Sequence, residues 1–303
     1  MKSVLRILLS VFILTCLACK DDDNREEPCD QIDGCFDFKL IDFEPAWSPD
    51  GATIAYVHGD TLLETTGLYL INSDGTNPRI LFSSASAYSP TWSPDSKWIA
   101  FSNGGHIFKI KINGDSLTQL TTEGHNFFPS WSSDGQWIVF DSDLNDPKGA
   151  NVIWKMKFDG SSKTDISQHG VGEWRMPDCF RDSLKILHHR ASGYSEGGPG
   201  FFLMDISGLH SVRVTYSLGF DQYPKISPNG RVILFQSQAE DGDLNLYSTG
   251  IDGQGLRKLT SSHGYFGVWS PDGSKIVYTK SSSDNGRLWI MSSDGTGKKQ
   301  FTF

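Results

Sequence analysis

Apolar residues fall along this chain in short runs broken by Gly, Pro, Asp and Ser, and no stretch sustains a helical period. The runs are rich in β-branched and aromatic residues, which predicts many short strands joined by tight turns. They also repeat. Trp47-Ser48-Pro49-Asp50-Gly51 returns as Trp92-Ser93-Pro94-Asp95-Ser96, Trp131-Ser132-Ser133-Asp134-Gly135 and Trp269-Ser270-Pro271-Asp272-Gly273, with degenerate copies at Ile226-Ser227-Pro228-Asn229-Gly230 and Cys179-Phe180-Arg181-Asp182-Ser183. From anchor to anchor the spacings are 45, 39, 48, 47 and 43 residues, the length of one four-stranded propeller blade.

Each copy continues in the same order. An alternating apolar segment follows the turn (Ile54-Ala55-Tyr56-Val57, Trp98-Ile99-Ala100-Phe101, Trp137-Ile138-Val139-Phe140), then a third segment such as Leu68-Tyr69-Leu70-Ile71 or Leu288-Trp289-Ile290-Met291. A second turn follows at Gly75, Gly114, Gly160, Gly208, Gly253 or Gly295, and a short last strand such as Gln119-Leu120-Thr121 or Lys258-Leu259-Thr260 closes the unit. In Ser-Pro-Asp-Gly, Pro presets the turn, Asp accepts backbone N–H bonds and Gly tolerates positive φ. The Trp before it is read as core, packed between stacked sheets.

The pattern Trp-Ser-Pro-Asp-Gly, Ile-Ala-Phe, Leu-Tyr-x-Met, Asp-Gly, Leu-Thr resembles the WD40-like repeat of the TolB-like propeller family, over roughly residues 44–303. The resemblance implies an all-β, six-bladed β-propeller of four-stranded antiparallel blades. It is specific for fold and unspecific for activity. It is a resemblance to the propeller alone: TolB carries an N-terminal α/β domain used in coupling to an envelope partner, so its full role is not carried over. Phe36-Asp37-Phe38-Lys39-Leu40 could add an outer strand to blade six and help close the ring.

The first 18 residues read as a signal peptide. Lys2 and Arg6 precede an apolar run from Val4 to Leu17, too short for a membrane span. Cys16-Leu17-Ala18-Cys19 resembles a lipoprotein cleavage site, with Cys19 as the lipidated residue; Cys16 and an ordinary cleaved secretory signal are the alternatives. Lys20-Asp21-Asp22-Asp23 resembles the acidic tag that sends some lipoproteins to the outer face of the outer membrane, and residues 19–43 form a tether and short N-terminal segment. The expected address is therefore the outer membrane, facing the exterior, or otherwise the periplasm. In that oxidising setting Cys29 and Cys35 are the candidate disulfide, and Cys179 is expected to be a buried free thiol.

Charge narrows the partners. The net charge of −9 becomes −11 once Lys2 and Arg6 leave with the signal, and such a body argues against nucleic acid. The A–B and C–D turns of a blade lie on one face and read as scaffold; the B–C and D–A loops lie on the other and vary, so the binding face is placed there. Its candidates are Tyr88, His125, Phe128, Glu173, Trp174, Arg175, Tyr223, His263 and Phe266. His125 and His263 occupy equivalent places on opposite blades, so a shared metal is not expected, and alternation sends His188 and His189 to opposite faces of their strand. Gly193-Tyr194-Ser195-Glu196-Gly197 lacks the strand–turn–helix setting of a hydrolase elbow. Asp141-x-Asp143-x-Asn145 begins like a calcium loop but has Asp146 where Gly is required.

No catalytic set, metal or cofactor is assigned. The function expected is a lipid-anchored, monomeric envelope module that binds a protein or glycan partner. The alternative is a glycan-cleaving lyase or hydrolase using His125, His169, His263, Glu173 and Arg175 at the channel mouth.

Overall fold

The computed structural model describes residues 41–59, 66–144, 150–167, 174–190, 199–215, 221–238, 243–261, 263–281 and 286–303. The signal sequence, Cys19, Cys29, Cys35, the 36–40 segment, Asn145, Asp146, His169, Glu173 and the Gly193–Gly197 motif lie outside them. The described chain forms 24 strands and no helix, and none of its segments is a helix long and apolar enough to cross a membrane.

Consecutive strands pair antiparallel in groups of four, A to D, giving six blades. The innermost A strands are Ile41–Trp47, Ala87–Trp92, Asn126–Trp131, Trp174–Cys179, Gln222–Ile226 and Gly264–Trp269. The first strand thus starts three residues before residue 44. All four strands of every blade are consecutive in sequence, including blade six, whose D strand is Lys299–Gln300.

The core follows from this stacking. Six buried apolar clusters are distributed one to each seam between blades, among them Trp92 with Phe43, Ile99 and Phe101 between blades one and two and Trp47 with Ile54, Leu288 and Phe301 between blades six and one. The anchor indoles therefore do pack between blades, and those of Trp92 and Trp269 also donate across their seams to the carbonyls of Ala46 (2.9 Å) and Lys225 (3.2 Å). The B strands do not alternate inside and outside. Ile54 to Val57 and Ile99 to Phe101 are buried at consecutive positions, because each sheet has a neighbour on both faces. His188 stacks on Phe202 and His189 meets the edge of Phe201, the opposite-face placement that alternation requires.

The repeated turn has a double use. Ser48, Ser93, Ser132 and Ser270 each donate to the Asp two residues on (2.5–2.6 Å) and accept the first N–H of strand B at 2.9 Å. Gly51 and Gly273 adopt φ of 78° and 71°, and lacking a side chain they lie against Pro271 and Pro228 of the preceding blade. Each turn is therefore also part of a seam.

Among the described residues, blades six and one meet where strand A of blade one reaches strand C of blade six. Ile41 pairs in parallel with Gly286. The buried Asp42 accepts from the Thr302 hydroxyl and lies 2.6 Å from His58 Nδ1, while Thr302 itself accepts the Leu288 N–H at 3.0 Å. Replacing Thr302 by Val keeps the shape and removes both bonds. Denaturant titration is expected to show a loss of about 1–3 kcal/mol, the cost of leaving buried polar groups unpaired; an unchanged midpoint would mean that this contact contributes nothing to closure.

Candidate functional site

The same irregularity occurs in every A strand. Strand register against strand B slips once, between Phe43 and Ala46, Tyr88 and Thr91, Arg175 and Asp178, Gln222 and Lys225, and Tyr265 and Val268, with the matching slip in blade three. The bulged residues, three before each anchor, are Glu44, Ser89, Phe128, Met176, Tyr223 and Phe266, all with φ between 49° and 57°. This left-handed conformation is strained for a non-glycine residue. Pro45, Pro90, Pro129, Pro177 and Pro224 follow in five of the six, as suits a bulge on a strand edge where no ladder donor is needed.

The bulge frees backbone N–H groups, and side chains of the preceding blade take them. Glu44 accepts from Ser89 N at 2.5 Å, Asp141 from Met176 N at 3.4 Å, Met176 Sδ from Tyr223 N at 3.3 Å and Gln236 from Phe266 N at 3.1 Å. The bulged side chains line the central cavity and meet across it. Phe128 of blade three touches Tyr223 of blade five edge-on at 5.4 Å, and Tyr223 touches Phe266 of blade six at 4.6 Å. Contact between blades that are not neighbours means that this layer crosses the channel.

Beneath it lies a funnel of about 300 Å³, walled by the C-terminal halves of the A strands and by Pro49, Pro94, Ser133 and Arg181 of the A–B turns. It therefore opens on the face that the sequence reads as scaffold. On its wall Asp178 joins blades four and five, bonding Lys225 Nζ at 3.0 Å and Ile226 N at 2.8 Å. Cys179 stands where the other blades carry an anchor Trp or Ile; it is a free thiol whose pKa burial pushes up to about 12.

Two carboxyls border the plug. Burial raises Glu44, on the funnel floor, to about 7 against the lowering by its Ser89 bonds and Lys225. Burial raises the fully enclosed Asp141 to about 7 as well, opposed by Arg175. Tyr223 lies within the field of both and is held well above its ordinary pKa, first by burial.

Of the residues singled out in the sequence, Phe128, Tyr223 and Phe266 come together in the plug. Tyr88 packs on Phe43 at its border, its hydroxyl donating to the Ala85 carbonyl at 3.1 Å. Arg175 sits electrostatically beside Asp141 and His189, and Trp174 begins the A strand of blade four. His125 is exposed and bonded to Asp143 at 2.7 Å; His263, also exposed, lies 3.8 Å from Asp243. The two histidines thus stand beside different carboxylates. Asp141 and Asp143 likewise serve separate partners. Glu44 and Met176 were not singled out, although Xaa-Pro at a fixed distance before five of the anchors marks the bulge; Asp141 was read only as the start of a calcium-like loop.

Fold and site define a closed six-bladed propeller with a plugged channel and a blind funnel. The chain matches the TolB beta propeller domain over residues 40–193 and belongs to that family. It is 30% identical over 142 residues to the Tol-Pal system protein TolB of Anaeromyxobacter dehalogenans, an alignment covering 40% of this chain and 32% of that protein; the match thus spans about a third of the relative's length. Among solved structures, TolB from Acinetobacter baumannii superposes with a TM-score of 0.69 at 22% identity, covering 89% of this chain and 64% of that one. An oligogalacturonate lyase from Vibrio parahaemolyticus superposes with a TM-score of 0.58 at 11% identity, covering 88% and 92%. The structural likenesses establish fold alone.

The raised Glu44 fixes the sign of a pH effect. Its folded pKa lies above the unfolded value, so the folded state holds the proton longer and the contribution to stability falls as pH rises from about 4.5 to about 7. Glu44→Gln keeps an acceptor for Ser89 and cannot ionise. It is expected to gain about 1–3 kcal/mol on the wild type between pH 5 and pH 8, read from denaturation midpoints; parallel pH profiles would show that Glu44 titrates normally.

Proposed function

We propose that this chain is a binding and scaffolding propeller of the cell envelope, which takes a protein partner on its A–B turn face with a projecting segment seated in the funnel. The observation that carries the reading is the aromatic plug. It leaves a recess with a rigid floor, apolar walls of Pro and indole edges, and a few fixed charges, the composition of a recognition site. Family membership and the likeness to a Tol-Pal system protein support the envelope setting. In this reading Cys19 carries the lipid, Cys29 and Cys35 pair in the tether, and the N-terminal lipid is the attachment to the outer membrane. A protein partner is preferred to a glycan because the funnel walls offer prolines and indole edges rather than rows of hydroxyl-binding groups.

Site-specific photo-crosslinking in intact cells separates the faces. A photoreactive residue at Ser133 or Arg181, on the turn face, is expected to trap one protein species in the membrane fraction, and Cys19→Ala is expected to release the chain from that fraction. Adducts formed only from His125 or His263 would move the site to the loop face and overturn the reading.

A further inference from the structure

Five of the six A–B turns are built alike. The residue after each anchor is Ser48, Ser93, Ser132, Ser227 or Ser270, and its carbonyl accepts the N–H three residues on at 2.8–3.0 Å. The donors, Gly51, Ser96, Gly135, Gly230 and Gly273, all have φ between 58° and 78°. Each serine hydroxyl also bonds the Asp or Asn side chain two residues on and accepts the first N–H of strand B. These turns are locked, as an Asp-Gly turn with a side-chain acceptor should be.

Blade four departs at each of these places. Phe180 replaces the serine and is drawn into the seam with blade five, so the hydroxyl bonds have no source. Ser183 stands at the glycine place outside the left-handed region, and no such N–H bond closes the turn. The loop is held at its base by Phe180 N to Lys185 O (3.0 Å) and from one side by Ser133 Oγ to Ser183 O (3.1 Å). Arg181 takes the place of Pro49, Pro94, Pro228 and Pro271, on the lip of the funnel. The funnel is thereby two-sided. Blades six, one and two present Val268, Ala46, Pro49 and Pro94, whereas blades four and five present Asp178, Arg181 and Lys225. With Glu44 on the floor, these are the acidic and basic side chains of its lining. Asp178 spends both oxygens on Lys225 Nζ and Ile226 N, and Glu44 accepts the Ser89 N–H. Arg181 is exposed, feels Asp178 electrostatically and makes no hydrogen bond among the described residues.

We propose that Arg181 is the specificity residue of the turn face, receiving the side-chain carboxylate of an Asp or Glu that flanks the apolar stretch seated in the funnel. The proposal rests on the reading that the funnel takes a segment of a partner protein. A guanidinium presents a fork of donors that matches a carboxylate in two-point contact. The unlocked turn lets that fork adjust, while the five locked turns keep the funnel's shape. Arg181 lies on the lip and not on the floor, so the group it meets belongs to a residue crossing the lip rather than to the chain end that goes deepest. On a body of net charge −9, an acidic segment is repelled by most of the surface, and a positive lip fixes where it docks.

The test is an NMR titration of the isotope-labelled full chain with the peptides Leu-Leu-Glu, Leu-Leu-Gln and Leu-Leu-Lys, each acetylated and amidated. Saturable shifts are expected at Arg181 Nε–H, Asp182 and Ser183. Affinity should fall about threefold from the Glu to the Gln peptide, the scale of one exposed charge pair, and further for the Lys peptide. Arg181→Gln changes an exposed side chain, keeps the fold, and is expected to bind the Glu and Gln peptides equally. Equal affinities on the wild type, a Glu preference that survives Arg181→Gln, shifts confined to other parts of the chain, or no saturable binding would each overturn the proposal. So would a Gln peptide with a free C-terminus that binds as well as the Glu peptide, since Arg181 would then serve a chain end. Crosslinks from the turn face without the Glu preference would sink this proposal alone; the preference without crosslinks would sink the partner reading and leave the carboxylate contact standing.

Discussion

Everything in this molecule depends on six sheets closing into a ring. A single blade has an apolar B strand with no solvent side, as Ile54 to Val57 and Ile99 to Phe101 show, and such a strand is stable only between two neighbours. The ring meets this demand at every seam at once, and the last seam is the one the chain cannot make by continuing. Here Asp42, Thr302 and His58 bring its two ends together within a buried hydrogen-bonded group. The contact is small, but it lies where the entropy of joining distant chain ends is concentrated.

Closure also shapes the site. The A strands run down the narrow centre of the ring, and each bends there through a bulge with a left-handed residue. The bend turns one side chain per blade towards the axis, and Phe128, Tyr223 and Phe266 meet there. One device therefore accommodates the strands to the centre, blocks the channel and forms the funnel floor. The strain at six bulges is offset by N–H bonds to Glu44, Asp141, Met176 and Gln236 and by packing at the axis.

Fold was largely legible in the sequence because its signals are local and repeated. The anchor spacing counted the blades, and Ser-Pro-Asp-Gly announced the turns with the bonds they make. Phe128, Tyr223 and Phe266 could be found as aromatics near the axis, yet their meeting could not, since it joins blades that are distant in sequence. Glu44 escaped notice because one carboxylate before a proline looks like strand punctuation; only the same Xaa-Pro step in five blades reveals a bulge. Loop variability pointed to one face, whereas the funnel's place is set by which end of the A strand lies beyond the bulge. The carbonyls that hold Lys109 and Lys155, of Phe158 and Ile206, belong to the next blade, so no local pattern marks them. Blade four shows the limit of the repeat: Cys179 holds the anchor place, and Phe180, one residue on, joins the seam with blade five.

The central claim is that the blades hold one another as a ring and not as a row. Hydrogen exchange followed by mass spectrometry, comparing the wild type with Asp42→Ala, tests it most directly. In a ring, weakening the seam between blades six and one lowers the protection of the slowest amides by the same factor everywhere, including the B strands of blades three and four. A loss confined to blades one and six, with the opposite side unchanged, would show a stack that frays from its ends.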